Sequence, residues 1–281
     1  MRRRDFVAGL AATGVAAAQA EKATGSAGRL KQCVTRFPFD PKLPFEDMCR
    51  EAAQLGCVGF DLVQPKDWPT LRKYGLKPTM APPGGVTIED GIIHKEKHDA
   101  FAAALGASID ECAAGGCPNI ITVGGQRHGM SYTEGADNAV AFLNRMKARA
   151  EDKGVTICME VMNSKYDRID QICDHVEWGV DVCRRVNSPR VKLLFDVYHA
   201  QIMDGDICRH IQQNFQWIAH FHVGGVPGRH EIDDTQELNY RFIAKTIADL
   251  GYNGYIAHEF RPSPGRDPVE SLRQAIAILN V

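Results

Sequence analysis

The pattern that most constrains the fold is an alternation of short apolar runs with longer segments of helical periodicity, repeated eight times after residue 30. Such an alternation is typical of parallel strands joined by helical crossovers. The expected strands cover residues 31–37, 58–63, 77–81, 119–124, 155–162, 191–197, 218–223 and 254–260. The expected helices cover residues 45–55, 69–74, 95–114, 134–153, 174–186, 206–216, 237–250 and 268–279.

Eight such repeats predict a single α/β domain over residues 30–281, folded as a (β/α)8 TIM barrel. A doubly wound open sheet is the alternative, but no Gly-x-Gly-x-x-Gly turn follows the first expected strand. Long loops follow the third, fourth, fifth and seventh expected strands, whereas the loops that enter strands are short. Because barrel enzymes build their active sites at the carboxyl ends of the strands, the loop lengths predict the site at that end.

The charge balance argues against a nucleic-acid partner. The 281 residues include 33 Lys and Arg against 35 Asp and Glu, for a formal net charge of −2. Binding to a phosphate backbone needs a basic face, and the sequence has no basic run beyond its first residues. The nine cysteines form no Cys-x-x-Cys pair, so we expect most of them to be small core residues.

The first twenty residues resemble a twin-arginine export signal. Arg3 and Arg4 precede an apolar, alanine-rich run over 8–18, which ends in an A-x-A cleavage pattern at 18–20. The run is too short to span a bilayer, so no stable membrane anchor is expected. We predict a signal peptide at 1–20, a linker at 21–29 and a periplasmic location; a cytoplasmic protein with a short N-terminal helix is the alternative.

Four candidate metal ligands stand near the ends of four consecutive expected strands, the fifth to the eighth. Period-two alternation places all of them on one face of their strands: Glu160, Asp196, His222 and Glu259. Three carboxylates in a low dielectric repel one another unless a cation lies between them. The set predicts a divalent-metal site, with Mn²⁺ expected and Mg²⁺, Co²⁺ or Zn²⁺ compatible. The alternative is that some of these groups are ion-paired acids at strand ends.

The second half of the chain also carries runs that point to a known family. These runs are M-E-V-M-N-S-K, F-D-V-Y-H-A-Q-I-M-D-G-D, H-F-H-V-G-G-V-P-G-R-H-E-I-D and A-H-E-F. They are similar to the hydroxypyruvate isomerase-like, sugar phosphate isomerase/epimerase branch of the xylose isomerase-like TIM barrels. The resemblance implies that the four residues hold the metal and that Glu160 and Glu259 also act as acid and base. It further implies substrate contacts by His199, in a D-x-x-H pattern, and by Arg229.

Other polar residues near the expected strand ends are weaker candidates. Asn163 directly follows the fifth expected strand and is a candidate substrate contact, with a solvated loop as the alternative. Arg127 and His128 are candidates for a substrate carboxylate or phosphate, with ordinary surface polarity as the alternative. His220 shares the inward face one layer deeper than His222, where we expect a core or ligand-supporting histidine.

The expected reaction is isomerisation or epimerisation of a small hydroxy-carbonyl compound, hydroxypyruvate or a ketose, through an enediolate. A metal would stabilise the enediolate while one glutamate removes a proton and a carboxyl returns it at the neighbouring carbon. In the families that the chain resembles, hydroxypyruvate isomerases carry Gln at the position of His222 and ketose epimerases carry His. The identity of the substrate is therefore left open. A metal-dependent dehydratase of the inosose or dehydroshikimate type and a non-catalytic exported sugar-binding barrel are alternatives. The expected partner is a small sugar or hydroxy-keto acid, and a homo-oligomer is compatible with the sequence.

Overall fold

The computed structural model describes residues 28–281, so the predicted signal peptide and most of the linker at 21–29 lie outside the described residues. The strands, β1 to β8 in chain order, are Lys31–Val34, Gly59–Asp61, Lys77–Met80, Asn119–Thr122, Thr156–Glu160, Val191–Asp196, Ile218–Val223 and Tyr255–His258. The helices, α1 to α9, are Phe45–Gln54, Trp68–Lys73, His98–Gly115, Tyr132–Lys153, Val176–Val186, Val197–Met203, Ile207–Asn214, Tyr240–Asp249 and Pro268–Leu279.

The eight strands form one parallel sheet whose two edges meet. Their order is β3-β2-β1-β8-β7-β6-β5-β4. The edge strands join at Ala81, whose N–H donates to the carbonyl of Asn119 at 2.9 Å and whose carbonyl accepts from Ile121 N at 3.1 Å. The side-chain amide of Asn119 adds a bond to the carbonyl of Thr79 at 2.9 Å. A sheet with joined edges and helical crossovers confirms the predicted single-domain (β/α)8 barrel.

The observed strands match the expected ones but are mostly shorter, and one helix was not predicted. Helix α6 begins at Val197, directly at the end of β6, where no helix was expected. Asp196 is its N-cap, because its Oδ1 accepts a hydrogen bond from Tyr198 N at 2.9 Å. One residue therefore ends a strand, starts a helix and points its second carboxylate oxygen into the barrel mouth.

Apolar packing occupies both the space outside the strands and the lower barrel interior. The large core lies between the sheet and the helices, and a small separate cluster inside the barrel contains Met80, Ile121, Cys158 and Leu194. All nine cysteines are unpaired, and only Cys208 is more than marginally accessible. Among residues 28–281 the structure has no helix with the length and apolar character needed to cross a membrane.

Candidate active site

The four residues predicted as metal ligands come together at the carboxyl ends of the strands. One side-chain ligand atom from each of Glu160, Asp196, His222 and Glu259 lies within 4.8 Å of the others. Glu160 ends β5, Asp196 ends β6, His222 lies in β7 and Glu259 directly follows β8. Each side chain belongs to a buried residue. The structure thus gathers three carboxylates and an imidazole where the sequence pattern placed them.

The ring of His222 presents its two nitrogens to different surroundings. Its Nε2 lies 3.0 Å from Oδ2 of Asp61, whereas Nδ1 faces the acid cluster, the three carboxylates of Glu160, Asp196 and Glu259. Nδ1 makes no hydrogen bond of acceptable geometry, although Oε2 of Glu259 lies 2.5 Å away and Oε1 of Glu160 3.7 Å away. Burial disfavours the charged imidazole, but the neighbouring acids outweigh burial and raise the pKa of His222 well above its usual value.

A buried aspartate beneath the cluster was not singled out in the sequence. Asp61 ends β2, and its carboxylate lies 2.6 Å from Nε2 of His220 and accepts from the hydroxyl of Thr79. Burial alone would raise the pKa of Asp61, but His220 and His222 outweigh burial and hold it well below its usual value. The thiol of Cys33 lies 3.5 Å from Oδ1. Although Cys33, Asp61 and His220 are close enough to suggest a second metal group, their contacts are hydrogen-bond contacts.

Arg229 supplies the positive charge that the acid cluster faces. Its Nη2 lies 2.7 Å from Oδ2 of Asp196 and 2.6 Å from Oε2 of Glu259. Burial by itself would raise the pKa of Glu259, but Arg229 and His222 outweigh burial and lower it to about 2. The remaining Nη1 lies 3.1 Å from Nε2 of His199. Arg229 therefore connects three of the predicted site residues.

A tight turn after β7 directs Arg229 into the barrel. The N–H of Gly225 donates to the carbonyl of His230 at 2.8 Å, and the N–H of Arg229 donates to the carbonyl of Gly225 at 2.8 Å. Arg229 has a left-handed φ of 59° and follows Gly228 with a φ of 89°. A left-handed conformation costs a non-glycine residue about 1–2 kcal/mol, so other contacts must hold this turn.

Buried Glu231 holds that turn against the loop that follows β8. Its carboxylate accepts from the backbone N–H of Ser263 at 3.0 Å, from the Ser263 hydroxyl at 2.6 Å and from the Ser271 hydroxyl at 2.9 Å. The N–H of Arg261 also donates to the carbonyl of Arg229 at 2.7 Å. The two loops are therefore tied together, and the guanidinium of Arg229 keeps one position over the acids.

His199 and Asn163 are in contact with each other. His199 lies in α6, and Nδ2 of Asn163 is 2.7 Å from its Nδ1. Burial, reinforced by the charge of Arg229, lowers the pKa of His199 well below its usual value, so the ring is neutral. Asn163 is fully buried and also contacts Asp167 through Nδ2 at 2.5 Å. In this structure Asn163 positions His199, and its direct contact with substrate stays a prediction.

A cavity of about 220 Å³ opens above the cluster. Its polar lining consists of Glu160, Glu259, His199, Arg229 and Arg168. Its apolar lining consists of Phe37, Leu62, Pro82, Pro83, Ile88, Ile121, Val123 and Met162. Arg127 does not line it, because that side chain pairs with Asp170 at 3.2 Å and lies over the ring of Tyr132.

The geometry agrees with a comparison against known protein families. A family model described as the xylose isomerase-like TIM barrel matches residues 49–280. The chain belongs to this family.

Two relatives of this xylose isomerase-like barrel have names that describe an isomerase. It is 35% identical over 116 residues to the 2-oxo-tetronate isomerase of Cupriavidus necator, covering 41% of this chain and 44% of that protein. It is 30% identical over 124 residues to the putative hydroxypyruvate isomerase of Danio rerio, covering 43% of this chain and 45% of that protein. The match therefore spans less than half the length of either relative.

A solved structure with the same fold is D-psicose 3-epimerase in the presence of D-fructose. The TM-score is 0.74 with 17% sequence identity, and the superposition covers 90% of this chain and 100% of the epimerase. At this identity the likeness concerns the fold of the xylose isomerase-like barrel.

Proposed function

We propose that the protein is a divalent-metal-dependent isomerase or epimerase of a small hydroxy-carbonyl compound, a 2-oxo acid or a ketose. The observation that carries the proposal is the convergence of Glu160 and Glu259 with Asp196 and Nδ1 of His222 at the floor of a small cavity. The names of the two relatives, a 2-oxo-tetronate isomerase and a putative hydroxypyruvate isomerase, support the same reaction class.

The residues of the cluster fit a divalent ion. Asp61 occupies Nε2 of His222, which leaves Nδ1 as the ring nitrogen without a hydrogen bond, next to three buried carboxylates. Three carboxylates and one imidazole suit hard or borderline ions, with Mn²⁺ expected and Mg²⁺, Co²⁺ or Zn²⁺ compatible. When bound, such an ion would polarise the substrate carbonyl and stabilise the negative charge that develops on its oxygen.

The protein's own groups would move the proton. Glu160 and Glu259 both line the cavity, from β5 and from the residue after β8, so a substrate between them has a carboxylate on each side. One glutamate removes the proton from the carbon next to the carbonyl. In an isomerisation the other returns a proton to the former carbonyl carbon while the hydroxyl proton moves to the former carbonyl oxygen; in an epimerisation it returns a proton to the opposite face of the same carbon. His199 and Arg229 line the same cavity and are candidates to hydrogen-bond substrate oxygens, and apolar side chains form the rest of its wall.

Solvent deuterium exchange tests this proposal directly. The protein would be incubated with Mn²⁺ in D₂O with hydroxypyruvate, a 2-oxo-tetronate and a set of ketoses, and followed by NMR and mass spectrometry. We expect deuterium at the carbon next to the carbonyl and an isomeric product with the mass of the substrate apart from the exchanged hydrogen. Loss of water would instead identify a dehydratase. Absence of exchange with every substrate would contradict the proposal and favour a binding protein.

Asp61→Asn is expected to weaken metal binding by about 10- to 100-fold, as for other groups that orient a metal-ligating histidine. Asp61 accepts a hydrogen bond from Nε2 of His222, so its carboxylate favours the tautomer that carries the proton on Nε2 and leaves Nδ1 unprotonated. Isothermal titration with Mn²⁺ measures the change. Asp152→Asn is the matched control, because Asp152 is exposed at the end of α4. Equal affinities of the Asp61→Asn variant and wild type would show that Asp61 does not set the tautomer.

A further inference from the structure

The cavity contains two arginines whose surroundings differ. Arg229 is paired, with two carboxylates within 2.7 Å of its Nη2. Arg168 lines the same cavity, yet no carboxylate of residues 28–281 lies within 4.0 Å of its guanidinium nitrogens. Its one side-chain hydrogen bond is a long one, 3.5 Å from Nη1 to the carbonyl of its neighbour Asp167. Arg168 is thus a cavity cation without an anionic partner.

The backbone of Arg168 is well held, so its position is defined by the fold. Its N–H donates to the carbonyl of Asn163 at 3.2 Å, and its carbonyl accepts from Gln171 N at 3.1 Å. Oδ1 of Asn163 caps the same turn by accepting from the N–H groups of Tyr166 and Asp167 at 3.0 and 3.1 Å. The acids of this loop are occupied elsewhere, because Asp167 contacts Tyr198 and Asp170 contacts Arg127. The loop therefore presents a guanidinium and directs its carboxylates away.

Arg168 is partly buried, and a carboxylate is the best planar partner for a guanidinium. The cavity of about 220 Å³ is smaller than the roughly 300 Å³ at which pockets for drug-sized ligands begin, so the partner must be small. On the floor, Arg229 and the proposed ion compensate the three carboxylates, whereas Arg168 has no carboxylate partner among the described residues and is placed to pair with a substrate's own charged group.

We propose that Arg168 binds the carboxylate of the substrate, so that the protein acts on a short hydroxy-keto acid in preference to a neutral ketose. This inference rests on the proposed function and specifies its substrate class. The carboxylate pairs with Arg168 while the carbonyl and hydroxyl of the same molecule face the floor of the cavity. Arg168 acts as a specificity residue, and the proton transfers stay with the two glutamates.

The test compares Arg168→Met with wild type on hydroxypyruvate and on erythrulose, a neutral ketose of similar size, by exchange in D₂O with Mn²⁺. We expect KM for hydroxypyruvate to rise about 10- to 100-fold in the variant, as for loss of a hydrogen bond to a charged group, with kcat changed only a few-fold. Constants for erythrulose should not change. Arg127→Met is the matched control, because that arginine is paired with Asp170 outside the cavity.

A second measurement separates this inference from the proposed function. Tartronate, a small unreactive carboxylate, should raise the Tm of wild type and of Arg127→Met but not of Arg168→Met, whether or not any substrate turns over. Equal KM changes for the acid and the neutral ketose would overturn the assignment. So would a preference of wild type for a phosphorylated ketose that depends on Arg168, since the residue would then bind phosphate.

Discussion

Replacing Glu160 with glutamine is expected to stop substrate deuteration, with a loss of rate of at least about 10²- to 10⁴-fold, the range typical of general acid–base groups. Glutamine keeps the size of the side chain but cannot take up a proton. The rate of substrate deuteration by Glu259→Gln should fall by a similar factor, because Glu259 is placed to return the proton on the other side of the cavity. Both variants are assayed at saturating Mn²⁺ in D₂O, since each change also removes a candidate metal ligand.

The matched control for these two variants is Glu111→Gln. Glu111 is exposed on α3 and does not line the cavity, so its replacement should leave both the exchange rate and the affinity for Mn²⁺ at the wild-type level. If Glu160→Gln exchanges substrate hydrogen at the wild-type rate, Glu160 is not the base. If only Glu259→Gln is inactive, one carboxylate performs both transfers.

Arg229→Met is expected to destabilise the metal-free protein by about 3–5 kcal/mol, the usual cost of breaking a buried ion pair from one side. The substitution leaves Asp196 and Glu259 buried without their shared cation. Mn²⁺ should restore part of this loss, because a bound cation compensates the same carboxylates and stabilises the folded state by mass action. Urea unfolding with EDTA and with Mn²⁺ measures both effects.

Arg185→Met provides the comparison on the surface. Arg185 pairs with Asp137 and Asp181 on the outside of the barrel, and exposed pairs of this kind contribute only about 0–1 kcal/mol. The free energy of unfolding of the Arg185→Met variant should be close to that of wild type and should respond to Mn²⁺ as that of wild type does. Equal losses for the two arginine variants would show that Arg229 does not compensate the acid cluster.

The sequence predicts the barrel well because its signals are local. Buried parallel strands appear in the sequence as apolar runs, so an acid such as Glu160 within one of these runs is easily recognised as a candidate site residue. The boundaries are less well predicted because strands end where hydrogen-bond partners end, which depends on the neighbouring strand. Helix α6 escaped prediction because Asp196 is both the last residue of β6 and the N-cap of the helix, so no turn residues separate the two elements.

Asp61 and Arg168 show what sequence reasoning misses at the site. Asp61 also lies in a buried run, and the argument applied to Glu160 would have found it, but its partners His220 and His222 are about 160 residues away in sequence. For Arg168 the decisive fact is the absence of a nearby carboxylate among the described residues. Two aspartates lie within two positions of it, and only the structure shows that both turn to other partners.

The join at Ala81 is the part of the sheet that the fewest backbone hydrogen bonds hold together among the described strands. Strands β5 to β8, which carry or precede the four candidate metal ligands, are paired along their length with one register shift between β6 and β7, whereas β3 and β4 meet through two backbone hydrogen bonds. Local opening of a fold requires the least free energy where the fewest hydrogen bonds break. Pro82, Ile121 and Val123 lie beside this join and line the cavity. Opening at this join would therefore change the shape of the apolar wall of the cavity while the strands that carry Glu160, Asp196 and His222 stay paired.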